Sequence, residues 1–278
     1  MIKVDDFSAS NDAAMVQAAI DFAAENDVKS VQLIDRDYSI TKPILIKEGV
    51  SLHFSYGSRF IVTGSFRVIE LQRNAALFGA YIAIDDPKFN APVIFLDGKN
   101  KFYNSWFKAQ VKDAVILNWS GSHKGVGIYL YANGSGHEIS FMNFQNVKCI
   151  GLKTAVHLQA VKAQSGFSYI NANSFNDLVI DDCVNGIQLF SSETIPNECS
   201  GNTFKNIQFQ SSGVTSNMLT VNGQFNDFDG MVWDLSNIPH NNPIIRLTQT
   251  SSHTLLAMKN VPLQRIDDKG KSNKIEVL

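Results

Sequence analysis

The 278-residue sequence has little of what marks most enzyme families. Only three cysteines occur, Cys149, Cys183 and Cys199. They are odd in number and lack metal-ligand spacing, which excludes a disulfide framework and a zinc site of the usual kind. They read as buried free thiols, with Cys149 on an inward repeat position. No apolar run reaches the ~18 residues of a membrane span, and Met1 to Asp6 lack the apolar core of a signal peptide. Membrane anchoring and Sec export are therefore not expected. Charge of one sign is also missing: 24 basic and 26 acidic residues leave a net charge of −2, so neither nucleic acid nor an anionic membrane is an expected partner. There is no P-loop, dinucleotide fingerprint, zinc-ligand spacing or nucleophile elbow. His123, His137, His157, His240 and His253 do not cluster in metal-binding spacing, so no metal and no cofactor is expected. Helical periodicity is confined to residues 11–26, where Met15, Ala18, Ala19 and Phe22 share one face and Ser10 or Asn11 can cap the start.

What the sequence does have is a repeat. Ser174-Phe175-Asn176-Asp177-Leu178-Val179-Ile180 contains a pattern, Phe-x-Asn/Asp-apolar-x-apolar, that returns at Phe144 to Cys149 and at Phe204 to Phe209. Weaker copies begin at Phe102, Phe228 and Met258, the first of them running to Phe107. Most intervals between lead positions lie within the ~20–50 residues expected of a solenoid. A second alternating segment follows each copy: Val115-x-Leu117, Val156-x-Leu158, Ile187-x-Leu189, Leu219-x-Val221, Ile245-x-Leu247 and Ile275-x-Val277. Period-two alternation buries one face of a strand.

If the coils stack at the inter-strand spacing of about 4.8 Å, the leading phenylalanines form an internal aromatic column. Asn104, Asn146, Asp177, Asn206 and Asn260 then form a ladder at a tight turn, where Asn and Asp tolerate left-handed backbone, and Gly230 takes that place once. The expected fold is all-β: a right-handed single-stranded parallel β-helix with a short N-terminal capping α-helix. Residues 1–30 supply an N-terminal strand and the helix, which lies as a lid over the first coil. Residues 31–278 form one continuous β-helix, whose first short strands lie around Val31–Leu33, Tyr38–Ile40, Ile44–Ile46, Val50–Leu52 and Phe60–Val62.

The opening Val4-Asp5-Asp6-Phe7-Ser8-Ala9, the pair Asn11-Asp12, Val16 to Asp21, Tyr38-Ser39-Ile40 and Glu48-Gly49-Val50-Ser51-Leu52 resemble the N-terminus of pectate-lyase-like right-handed β-helix proteins. The character is closest to tailspike and pre-neck appendage proteins of tailed bacteriophages. Ser10-Asn11-Asp12 and Asp35-Arg36-Asp37 depart from the structural glycine-rich motifs of that family. The resemblance implies a virion component that binds a cell-surface polysaccharide or teichoic acid, often cleaves it as a glycoside hydrolase, and assembles as a homotrimer. Two alternatives stay open, a non-catalytic trimerisation module of a virion fibre and a bacterial polysaccharide lyase or epimerase. The strand-like Lys274 to Leu278 carries no polar cap, so further domains of a longer chain, or partners, are expected to cover it.

Candidate site residues follow from the columns. The sixth position after each lead residue gives Asp181 and Asp234 on outward positions two coils apart. Backbones ~9–10 Å apart can bring carboxyl groups to the ~6.5–9.5 Å of an inverting glycosidase. The alternative is that both are solvated carboxylates at strand ends. Asp182, Glu193 and Glu198 are further acidic candidates, and the insert 191–198 can wall a groove or form a plain surface turn. The catalytic candidates are thus Asp181, Asp234 and Glu193. For binding, the outward column Ile116, His157, Gln188, Thr220, Arg246 and Glu276 can meet an extended glycan at regular spacing, with His157 and Arg246 suited to anionic groups. Trp119, Tyr129 and Tyr131 lie in the longest interval, between the copies at 102 and 144, and can stack on sugar rings. Ile128 to Tyr131 read equally as one more strand.

Overall fold

Inward alternation and coil-to-coil stacking together produce the fold. In the computed structural model, which describes residues 1–106 and 108–277, every ladder between strands is parallel. Phe107 and Leu278 lie outside the described residues. The chain winds as a right-handed parallel β-helix, the hand taken by parallel crossover connections. Its walls are a fourteen-stranded, a nine-stranded and a four-stranded sheet. Strands of the fourteen-stranded sheet run, in later coils, through Gln110–Asn118, Asn143–Ile150, Ser174–Asp181, Thr203–Gln210 and Asp227–Trp233. The nine-stranded sheet passes through Pro92–Asp97, Val126–Ala132, Thr154–Ala160, Asn185–Phe190, Asn217–Gln224 and Ile245–Ser252. Between these two walls, Phe102–Tyr103, His137–Ser140, Ser168–Asn171 and Asn197–Ser200 form the short third sheet.

The aromatic column is present. Phe144, Phe175, Phe204 and Phe228 are buried and stack nearly parallel, with ring centroids 4.4, 4.5 and 4.8 Å apart. Its neighbours differ from the sequence expectation at both ends. Val111, not Phe102, sits above Phe144, and Leu256, not Met258, sits below Phe228. Phe102 instead faces inward from the third sheet, paired with Ile139. An apolar residue two positions from an inward one is also inward, so Met258 reproduces the pattern out of step, two residues beyond Leu256.

At the corner two residues after Val111, Phe144, Phe175 and Phe204 the strand kinks. Asp113, Asn146, Asp177 and Asn206 have φ of 56°, 51°, 58° and 53°. Each kink bends one strand around two walls, and Asn and Asp are enriched there because they tolerate the left-handed region better than other side chains. Asn146 donates to Asp113 at 2.8 Å, and Asn206 to Asp177 at 2.8 Å. The ladder is therefore Asp113–Asn146–Asp177–Asn206. Asn104 and Asn260 are not in it, and Gly230 does not occupy the turn. Gly230 pairs with the inward Ile207 across a register shift, and a Cβ on it would stand 2.3 Å from the Ile207 carbonyl oxygen. That coil omits the kink residue, and only glycine fits where its backbone cuts the corner.

A second asparagine ladder, not foreseen, is internal. Asn173, Asn202 and Asn226 are buried at 0%, 0% and 1% exposure. Asn173 donates its side-chain amide to Asn202 at 2.9 Å and Asn202 to Asn226 at 3.2 Å. The same amides donate to the carbonyls of Ile139, Ile170 and Cys199, while their oxygens accept the backbone N–H groups of Met142, Asn173 and Asn202. A turn inside a solenoid must satisfy its backbone groups without water. This ladder does so coil by coil.

The helix spans Asp12–Glu25, capped by the Asn11 side chain, which accepts from Ala14 N at 2.9 Å. It packs against the first strands, Ser30–Gln32, Asp37–Ile40 and Ile44–Ile46. Its buried face is Ala13, Val16, Ala19, Ile20 and Ala23 rather than the expected Met15, Ala18, Ala19 and Phe22. Phe22 is exposed, with its ring against Phe7 at 5.5 Å. The helix is apolar on nearly every side, so spacing alone left its rotation open. All three cysteines are free and buried.

Replacing Asn202 by Ala strands the Ile170 carbonyl and the Asn173 N–H in the interior. The expected loss is about 3 kcal/mol, whereas Asn206→Gly at the exposed kink should change stability by less than about 1 kcal/mol. Urea denaturation of the two variants measures the difference, and equal losses would show that the internal ladder has no special weight.

Candidate functional site

Period-two alternation aims every second side chain of the nine-stranded sheet outward. Strand register then orders them into one continuous column: Leu45, Glu70, Phe95, Tyr129, His157, Gln188, Thr220, Arg246 and Asp267. A second column beside it carries Asp97, Tyr131, Gln159 and Phe190. Successive members are about 4.8 Å apart along the helix axis.

The centre of this face is aromatic. The Arg67 guanidinium lies 3.9 Å from the centroid of Phe95. Phe95 meets Tyr129 edge-on at 5.6 Å, and Tyr129 stacks on His157 at 4.7 Å with 19° between planes. Tyr131 lies 5.7 Å from Tyr129, and Phe190 lies 5.3 Å from His157. The Tyr129 hydroxyl donates to Gln159. Burial, then the neighbouring Tyr131, push the Tyr129 hydroxyl up to about 12, against the pull of Arg67. Burial lowers His157 to about 4, and its Nε2 has no hydrogen-bond partner among the described residues. Phe95 is itself fully buried, so the accessible strip consists of the partly exposed Tyr129, Tyr131, His157 and Phe190, with His157 neutral at pH 7 and the Arg67 guanidinium as the charge beside it.

Grooves adjoin it at both ends. Toward the N-terminal coils, one of about 420 Å³ is lined by Leu45, Arg67, Glu70, Gln72 and Lys99. Toward the C-terminal coils, one of about 540 Å³ is lined by Arg246, Thr248, Asp267, Lys269, Asn222 and Ser191. There Arg246 donates to Asn217 at 3.0 Å and Lys269 pairs with Asp267 at 3.1 Å. Ser191 is the first residue of the insert 191–198, so that insert does contribute to a groove wall.

Of the expected binding residues, the structure gathers Tyr129, Tyr131, His157, Gln188 and Arg246 on this one face. Ile116 and Glu276 belong to the fourteen-stranded sheet, and Tyr129 and Asp267 take their places in the column. Likewise Val115-x-Leu117 and Ile275-x-Val277 are segments of that other wall. Trp119 stands apart, after the strand Gln110–Asn118, with Tyr81 at 6.4 Å and the Arg59 guanidinium 5.9 Å from its ring. Sequence reading missed Phe95, Phe190, Glu70 and Asp267. Phe95 lies in the apolar run Val93 to Leu96, where alternation is invisible, so only its register with Tyr129 reveals its direction.

The acidic candidates do not share one column. Asp181 pairs with Gln210 and then Trp233, so Asp234 falls one position beyond that column. The cause is the missing kink residue before Gly230, which shifts the count by one. Asp234 has left-handed backbone (φ 53°) and accepts a hydrogen bond from Gln210. Burial, then Asp182, raise Asp181 above the usual carboxylate range. Asp182 itself meets His123 Nε2 at 2.8 Å. Glu193 lies in the insert, and Glu198 accepts from Asn171 at 2.8 Å and Ser200 at 3.1 Å on the third sheet. No three His, Cys, Asp or Glu side chains converge as a metal-ligating group among the described residues, and no described helix is long and apolar enough to cross a membrane.

No protein-family model matches the chain, and no curated protein does. Among solved structures it is similar to the A-module of a mannuronan C-5 epimerase of Azotobacter vinelandii, at 13% identity and TM-score 0.42, covering 100% of this chain and 98% of that one. It is similar also to the Dettilon tailspike protein, at 12% identity and TM-score 0.37, covering 99% and 68%. A third is a surface adhesin of Streptococcus pneumoniae, at 10% identity and TM-score 0.27, covering 100% and 92%. The molecule is a parallel β-helix whose nine-stranded wall presents an aromatic strip between two polar grooves.

His157 makes stability depend on pH. Unfolded, it takes a proton near pH 6.5; folded, only near 4. Between those values the unfolded state binds more protons, so lowering the pH favours unfolding. The cost is absent above about pH 6.5 and approaches its full size near pH 4, on the order of 2 kcal/mol at pH 4.5. His157→Gln should therefore lose less stability than the wild type between pH 7 and pH 4.5 in urea denaturation. Equal losses would show that the histidine is not buried neutral.

Proposed function

We propose that the chain binds an extended cell-surface polysaccharide along the outer face of its nine-stranded sheet, as the β-helix of a bacteriophage tail spike or appendage. The observation that carries the binding reading is the continuous outward column from Glu70 to Asp267, aromatic at its centre and polar at both ends. An extended chain laid along the axis crosses the Tyr129 and His157 rings and then reaches the polar tips of Gln188, Thr220 and Arg246. Aromatic faces accept the apolar faces of sugar rings, and polar tips beside them fix orientation. Because the strip is formed by packed strands, little conformational entropy is lost on binding.

The phage assignment, the virion location and the homotrimer rest on the N-terminal resemblance from Val4 to Leu52. The reading is one of binding. Cleavage by Asp181, Asp234 or Glu193, which stand on two columns and a separate insert, is a further proposal that the assay for new reducing ends decides.

Titration calorimetry with host wall polysaccharide tests the reading. Tyr131→Ala and Arg246→Ala should each weaken binding about tenfold, a loss of ~1.4 kcal/mol, with the melting temperature nearly unchanged because both side chains are partly exposed. Undiminished affinity in the double variant would reject this face as the site. The same mixtures, assayed for new reducing ends, report any cleavage, and sedimentation reports the trimer.

A further inference from the structure

The first coils carry another depression, on the arm of the fourteen-stranded sheet that includes Ser51–His53 and Ala76–Phe78, a different wall from the one proposed above. Its volume is about 550 Å³, within the range of small-ligand sites. The floor is open because the outward column there is Ser51–Ala76, with Gly49 beside it. Phe78 forms one side and is backed by His53, stacked on it at 4.6 Å and 16°.

The rim combines an aromatic platform with positive charge. Trp106 is 80% exposed, and Lys29 and Lys108 are the charged residues that line the groove. Lys29 is paired with Asp27, which lies outside the lining. Lys108 has no ion pair among the described residues. No carboxylate lines the groove, and with Lys29 offset by Asp27 its net charge is the positive charge of Lys108.

The turn that carries Trp106 starts from a fixed base. The buried Asn104 donates to the carbonyl of Ala109 at 2.7 Å and accepts from its N–H at 3.2 Å, and it also reaches the Phe141 carbonyl at 3.2 Å. The base of the turn is thus clamped from one side chain. A large aromatic held in water on a clamped turn contributes almost nothing to the core. As a platform it presents an apolar face to a sugar ring, while lysines beside it match acidic substituents.

We propose that this groove is a binding site for an acidic saccharide, with one ring on the Trp106 indole and its carboxylate or phosphate held by Lys108 and Lys29. The site is separate from the aromatic strip of the nine-stranded sheet and stands or falls independently of it.

Titration calorimetry at low salt with an oligogalacturonate and with a mannooligosaccharide phosphate supplies the carboxylate and phosphate forms, with a maltooligosaccharide as neutral control and polyglutamate as a polyanion without sugar rings. At least one acidic saccharide should bind the wild type, and Trp106→Ala and Lys108→Gln should each weaken it about tenfold. The Tyr131→Ala, Arg246→Ala double variant should bind it as the wild type does, the maltooligosaccharide should bind weakly or not at all, and Trp106→Ala should leave polyglutamate binding unchanged. Since the Trp106 side chain is exposed, its variant should melt with the wild type. The proposal is overturned if neither acidic saccharide binds, if Trp106→Ala binds as tightly as wild type, or if affinity is lost in the double variant instead. It is also overturned if polyglutamate depends on Trp106 as strongly as the saccharides do.

Discussion

Every feature of this molecule depends on coils stacking in register through parallel backbone hydrogen bonds about 4.8 Å apart. Register turns a loose sequence repeat into columns. Inward columns become the phenylalanine stack and the internal asparagine ladder, and kink columns become Asp113–Asn146–Asp177–Asn206. The internal ladder shows why the constraint is strict. Each buried amide satisfies a carbonyl and an N–H of the preceding coil, so a coil out of step would orphan both.

The same register gives the outside its regularity. A regular solenoid wall is flat, because the outward side chains of stacked coils stand in level columns. Surface function must therefore be assembled from several coils, and the Phe95–Tyr129–His157 contacts show this in three consecutive ones. Where a groove does form, a local departure supplies it: the insert beginning at Ser191 beside Arg246, or the clamped turn at Asn104 that displays Trp106. Departures from the repeat make the concave sites, and the repeat itself makes the flat face between them.

The fold was legible in the sequence because its signals are local and repeated. The lead phenylalanines of three coils, the alternation in Val156-x-Leu158 and Ile187-x-Leu189, and the Asn11 cap each follow from neighbours a few residues away. Legibility failed where counting had to cross an irregularity. The coil at Phe228 lacks a kink residue, so Asp234 slipped out of the Asp181 column, and Met258 was matched to a phenylalanine it does not pair with. The candidate face was half legible: His157, Gln188 and Arg246 share the alternation of their strands, whereas Phe95 is hidden in an apolar run.

By itself the sequence determined the class of fold, the inward residues of most coils and the corners where Asn or Asp takes left-handed backbone, since period, alternation and turn chemistry are properties of adjacent residues. It also implied the absence of paired cysteines and of a long apolar helix. Tertiary structure alone decided which outward residues become neighbours. Two side chains from successive coils, some 30 positions apart in sequence, meet only when the register between coils is set, and that register depends on every bulge, missing kink and insert between them. For this reason Tyr129, His157 and Arg246 could be named from the sequence, but their assembly on one wall, and the separation of Trp119 from it, belong to the folded molecule.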